Sequence, residues 1–166
     1  ATKPDSQDIC FVPNGDYASV IELQTGRKSV VGNFIDKDGH ILGKHKGIIH
    51  YTIGQRKGLG ISSDTPLYVC KIDPQSGNIV LGSNDELLSR EVTAVEFNWI
   101  SGDAPKGEFR CKAKVRYRQT EQWATAFPLG EDTVRILFDT PQRAITPGQA
   151  AVLYDGDTVL GGGTII

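Results

Sequence analysis

The sequence predicts a mainly β protein: a small central β domain followed by a six-stranded β-barrel, with very little helix. Three observations predict it. Nineteen glycines and eight prolines cut the 166 residues into short segments. Several segments alternate apolar and polar side chains and end in hairpin signals. The helical signal is confined to about two short stretches, neither long enough for a bundle helix.

In chain order, residues 16–23 predict two helical turns with Tyr17, Val20, Ile21 and Glu22 in the body. Lys28 to Ile35 and His40 to Gly43 read as strands around the turn Asp36-Lys37-Asp38-Gly39. Leu67 to Ile72 and Asn78 to Gly82 flank Asp73-Pro74-Gln75-Ser76-Gly77, with Pro and Gly where a turn uses them. Asn84 caps an expected short turn over residues 84–88, and a boundary falls near 83–90. Six strands follow: 91–100, 107–119, 123–128, 133–138, 149–154 and 158–166. The last two meet across Asp155-Gly156-Asp157. Six short antiparallel strands without a long helix close most simply into a barrel, which removes exposed edges. The expected organisation is a leading segment 1–24, a central β domain 25–84 and a barrel 85–166.

Composition limits the function. At 39% hydrophobic and 23% charged the chain is globular in type. No apolar run reaches the roughly 20 residues of a spanning helix, so no membrane partner is expected. Three separated cysteines, Cys10, Cys70 and Cys111, make neither a disulfide framework nor paired zinc ligands, and fit a reducing cytoplasm. His40, His45 and His50 recur at a spacing that suits neither a strand face nor a helix face, so no metal is expected. The chain contains no Met, even at its start, which favours a piece of a longer protein.

Net charge is −2 and the pI about 5.9, which argues against a nucleic-acid binder unless cations are grouped. They are grouped in Arg110-Cys111-Lys112-Ala113-Lys114-Val115-Arg116-Tyr117-Arg118. A strand through this stretch projects Arg110, Lys112, Lys114, Arg116 and Arg118 from one face, about 6.6 Å apart, and turns Cys111, Ala113, Val115 and Tyr117 inward. Such a face suits phosphates. The plainer reading is a solvated face balanced by neighbouring acids and protecting a sheet edge.

Gly54 to Gly60 carries Arg56 and Lys57 among three glycines. It is no Walker loop; it reads either as backbone amides held against phosphate or as a β connection whose glycines need positive φ. Cys10 lies between Ile9 and Phe11 with Asp5 and Asp8 nearby. Those acids disfavour a thiolate, so on local sequence it reads as core. No serine-nucleophile elbow is present.

Taken in order, the stretches Lys3-Pro4-Asp5-Ser6-Gln7-Asp8-Ile9-Cys10-Phe11, Gly47 to Gly60, Lys114 to Gln119, Thr146-Pro147-Gly148-Gln149-Ala150 and Leu160-Gly161-Gly162-Gly163 resemble the tRNA-specific 2-thiouridylase family over essentially the whole chain. The resemblance implies a translation-factor-like barrel behind a small β domain. It implies that Cys10 carries a persulfide sulfur destined for C2 of an adenylated wobble uridine. Arg116, Tyr117 and Gln149 match tRNA contacts, so the cationic strand and the resemblance both single out Arg116, with Lys114 and Arg118 beside it. Strict alternation points Tyr117 inward, and a bulge would turn it outward. ATP and Mg would be used by an N-terminal domain whose nucleotide loop, first cysteine and uridine pocket have no counterpart here. The chain alone is therefore expected to be inactive, with tRNA and a sulfur-donor or relay protein as partners. The alternative is a non-catalytic RNA-binding β-barrel module with a structural cysteine.

Overall fold

The computed structural model describes residues 12, 16–26 and 28–166, in two compact units, 1–82 and 83–166. Among the described residues, α1 (Tyr17–Thr25) is the first element of the first unit. Its N-cap Asp16 accepts from the Ser19 N–H at 3.2 Å, and Gly26 ends it at φ 65°. Then come β1 (Gly32–Ile35), β2 (Ile41–His45), a 3-10 turn (Ile48–His50), β3 (Tyr68–Ile72) and β4 (Ile79–Gly82). They form a four-stranded sheet in the order β2-β1-β4-β3, with β1 and β4 parallel. Phe34, Val69, Ile79 and Leu81 fill its core, and Phe34 meets Tyr51 edge-on at 5.1 Å.

His45 is buried in this unit. The Gly47 N–H donates to its Nδ1 at 3.1 Å, and its Nε2 lies 3.0 Å from the Gly77 carbonyl. Only the neutral Nε2–H tautomer serves both bonds, and burial holds its pKa below the ordinary 6.5. The unfolded chain binds this proton more readily than the folded one. The stabilisation is therefore complete above pH 6.5 and is lost as pH falls from there towards the folded value. Thermal melts between about pH 7.5 and 5 should show the first unit weakening, and a His45→Gln variant should lose that component of the slope.

The second unit contains β5 (Leu88–Trp99), β6 (Phe109–Lys114), β7 (Gln122–Pro128), β8 (Val134–Arg143), β9 (Ala150–Asp155) and β10 (Thr158–Ile165). They close a six-stranded barrel in the order β10-β5-β8-β7-β6-β9. Its interior is narrow, and Ala94, Ala113, Ala124, Ala126 and Ala151 sit there beside Val134, Ile136, Phe138 and Leu153. Small side chains among large ones let so few strands close on a filled core.

β5 changes phase part-way along. Val92 and Ala94 point inward, and the next inward residues are Phe97 and Trp99. Glu96 at φ 51° absorbs the extra residue, and the β5–β10 register shifts at the same place. The bulge brings Phe97 against β10. A Cβ at Gly163 would lie 2.6 Å from the Val95 carbonyl oxygen and 2.9 Å from the Phe97 ring. The Leu160-Gly161-Gly162-Gly163 stretch is thus glycine-rich for close strand contact. Gly163→Ala should cost about 1–3 kcal/mol in a urea titration, as overpacking does.

Candidate nucleic-acid interface

The cationic stretch divides at Lys114, where β6 ends. The Val115 N–H donates to Gln119 Oε1 at 3.2 Å instead of continuing the ladder. Gln119 Nε2 donates to Gln142 Oε1, and Gln142 Nε2 donates to the Thr140 carbonyl at 2.7 Å. The Gln119 N–H then closes a turn on the Arg116 carbonyl at 3.2 Å. The expected strand 107–119 and its five-cation face are therefore corrected: Arg110, Lys112 and Lys114 share the face, while Arg116, Tyr117 and Arg118 lie on the turn. A side-chain network has replaced the backbone ladder there.

Arg110 does not stand open to a ligand as alternation alone suggests. Its two terminal nitrogens donate to both carboxylate oxygens of Asp139 at 2.7 Å each. This bond holds the Asp139 carboxyl below its ordinary range. Arg116 is half-buried, and Nη2 donates to the Ala144 carbonyl at 2.6 Å. Tyr117, which alternation pointed inward, is 74% exposed because the turn swings it out. Cys111, Ala113 and Val115 do face the core.

Gln149 comes from the far side of the sequence by turn chemistry. The Gln149 N–H donates to the Thr146 carbonyl at 3.2 Å, with Pro147 and Gly148 between them and Gly148 at φ 83°. Pro followed by a positive-φ Gly is the type II pattern. It delivers Gln149 to the start of β9. Antiparallel pairing of β6 with β9 sets Lys112 opposite Tyr154 and Lys114 opposite Val152.

These elements enclose a pocket of about 290 Å³. Lys114, Arg116, Tyr117 and Gln149 line it, over Ala150, Val152 and Tyr154. None of these lining side chains is acidic. The pocket offers fixed positive charge, an amide and two phenolic rings, a set suited to phosphate, ribose and base together. Arg118 is exposed on the same turn and does not line it. Val152 and Tyr154 escaped the sequence reading; their signal was the outward register of β9, legible only with β6 as partner.

Cys10 lies outside the described residues. Cys111 is buried in the barrel, which pushes its thiol up to about 11, so it is unreactive near neutrality. Cys70 is half-buried in β3, its Sγ 3.5 Å from the Tyr68 carbonyl. The histidines have separate settings. His50 Nε2 is 3.1 Å from Ser29 Oγ, and His40 Nδ1 pairs with Asp36 at 2.9 Å. Asp36, Asp38 and His40 offer ligand atoms within 4.8 Å of one another. Asp36 is there to hold the hairpin: its Oδ1 accepts from the Asp38 and His40 N–H groups at 2.9 Å each.

In the Gly54–Gly60 stretch all three glycines have positive φ. The Gly54 N–H is taken by the Val69 carbonyl at 2.7 Å, and Gln55 Nε2 braces the Lys57 carbonyl at 3.0 Å. That favours the β-connection reading. Arg56 lines a separate depression of about 400 Å³ with Gly58, Gly60 and Asp64.

Comparisons with known proteins join both units to one family. A family model described as the aminomethyltransferase beta-barrel domain matches residues 89–165. Another, the tRNA methyl transferase PRC-barrel domain, matches residues 21–83. A tRNA-specific 2-thiouridylase MnmA from Acetivibrio thermocellus is 53% identical over 99% of this chain and 46% of its own length. Those from Clostridioides difficile and Koribacter versatilis are 50% and 46% identical, each over 98% of this chain and 45% of their own length. The chain thus spans a little under half of the curated relatives it matches. With both domains and nearly every residue aligned to them, the chain belongs to the tRNA-specific 2-thiouridylase family.

Proposed function

We propose that this chain is the tRNA-holding and sulfur-carrying part of a cytoplasmic tRNA 2-thiouridylase. The observation that carries the reading is the barrel pocket, where Lys114, Arg116, Tyr117 and Gln149 converge from two distant stretches of sequence. Lys114 and the free edge of the Arg116 guanidinium meet phosphate, and Gln149 and Tyr117 meet sugar or base. Cys10, loaded by a sulfur-donor or relay protein, supplies the sulfur. The outer persulfide sulfur bonds to C2 of the wobble uridine as the activated oxygen leaves. A second thiol, from outside this chain, takes up Cys10 in a disulfide as the S–S bond breaks. ATP with Mg supplies the activation of that oxygen and acts outside these residues, so the chain alone performs no thiolation.

The test is the affinity of the chain for an unmodified tRNA transcript across a salt series. Two to three phosphate contacts should give log affinity falling against log salt with a slope of about −2 to −3. A salt-independent affinity, or none, would contradict the reading.

A further inference from the structure

The outer face of the barrel carries a second feature, next to the pocket. Trp123 on β7 is 54% exposed, whereas the other tryptophan, Trp99, is 6% exposed in the core. An indole so placed on a barrel wall contributes little to the buried core. Trp123 sits opposite Lys112 in the β6–β7 pairing. Lys112 Nζ lies 5.5 Å from its ring centroid, and so does the Arg110 guanidinium carbon. Arg110 is itself fixed by the two 2.7 Å bonds to Asp139 and a third contact to Thr125 Oγ1 at 3.2 Å. The indole is therefore held in place by cation–π contact with a braced guanidinium.

Lys112 connects this ring to the pocket. It is paired with Trp123 on one side and with Tyr154 on the other, and Lys114 follows on the same face. Tyr154 lines the pocket. The row Trp123, Lys112, Tyr154 thus runs across β7, β6 and β9, alternating ring, cation and ring. A duplex offers its bases only at their edges. A single strand offers ring faces and phosphates in alternation, which is the complement of this row.

We propose that Trp123 is a stacking platform for an unpaired base of the bound RNA, with Lys112 on the adjoining phosphate, extending the pocket's surface across β6 and β7. The inference rests on the tRNA-binding reading above and adds that part of the bound RNA is single-stranded.

The test uses this chain with an unmodified tRNA transcript, with a blunt RNA duplex as control. Stacking should quench Trp123 emission on addition of tRNA while buried Trp99 serves as internal reference. Trp123→Ala should weaken tRNA binding about 5- to 100-fold and leave duplex binding unchanged. Trp123→Phe should retain most of the affinity and abolish the quench. The melting temperature of each variant checks the fold. If tRNA binds with an affinity sensitive to Lys114→Ala but insensitive to Trp123→Ala, and emission is unquenched, the platform is overturned and the pocket reading stands. If wild type binds no tRNA at all, both fail together.

Discussion

Cys10→Ser in the full-length protein should reduce sulfur incorporation into tRNA by about a thousandfold or more, with tRNA affinity unchanged. A hydroxyl cannot hold a persulfide, so the loss falls on chemistry and not on binding. The other two cysteines offer no replacement. Cys111 is sealed in the barrel with its thiol pushed up to about 11, so its thiolate is scarce near neutral pH. Cys70 is half-buried in β3. Labelling of the folded chain with a thiol reagent near neutral pH should therefore leave Cys111 unmodified. Incorporation that persists in the serine variant would leave an RNA-binding barrel with a structural cysteine as the surviving reading.

Replacing Lys114 and Arg116 together with alanine should weaken tRNA binding about 10- to 100-fold at moderate salt and flatten the salt slope by about 2. The two effects have to appear together, because removing two phosphate contacts removes their released counterions. Arg116 also has a structural duty: its guanidinium donates to the carbonyl of Ala144, a residue at φ 51°. Arg116→Ala alone should thus lower barrel stability by about 1 kcal/mol as the bond is lost, and Arg116→Lys would separate charge from that bond. Lys114→Ala should spare the fold, since Lys114 serves it through its place at the end of β6 and not through its ammonium. Arg118→Ala should have the smaller effect on affinity, because Arg118 does not line the pocket.

Much of the fold was legible because turns write themselves into sequence. Asp36 to Gly39, Asp73 to Gly77 and Asp155 to Asp157 each announced a hairpin through residues that cap a turn or tolerate positive φ, as Gly39, Gly77 and Gly156 do. Thr146-Pro147-Gly148-Gln149 carries the Pro-Gly signal of a type II turn as well, but it entered the sequence reading only as a stretch resembling the family. What escaped depended on partners far away in the chain. β6 stops because Gln119 turns back on Val115 and finds Gln142 behind it. No local pattern contains Gln142, so alternation ran the strand on to Gln119 and pointed Tyr117 the wrong way. The bulge at Glu96 was hidden likewise, since its cause is the approach of Gly161 and Gly163 to Phe97.

The candidate site shows the same division. Lys114, Arg116, Tyr117 and Gln149 were nameable from motifs, yet their meeting rests on β6 pairing with β9 at the closure of the barrel. Five cations in a row suggested one uniform face; the structure distributes them. Arg110 is neutralised by Asp139 and braces Trp123, Lys112 and Lys114 stay on the strand, and Arg116 lines a pocket from a turn. Acid–base pairing across strands, which decided the fate of Arg110, has no signature in the sequence of β6 alone.

Where the RNA sits is best read from backbone amide shifts as the chain is titrated with unmodified tRNA transcript. The largest changes are expected at residues 112–118, 123 and 149–154. Changes confined to the opposite wall, β5 and β8, or to the first unit with this pocket silent, would contradict a tRNA site built on Lys114, Arg116, Tyr117 and Gln149.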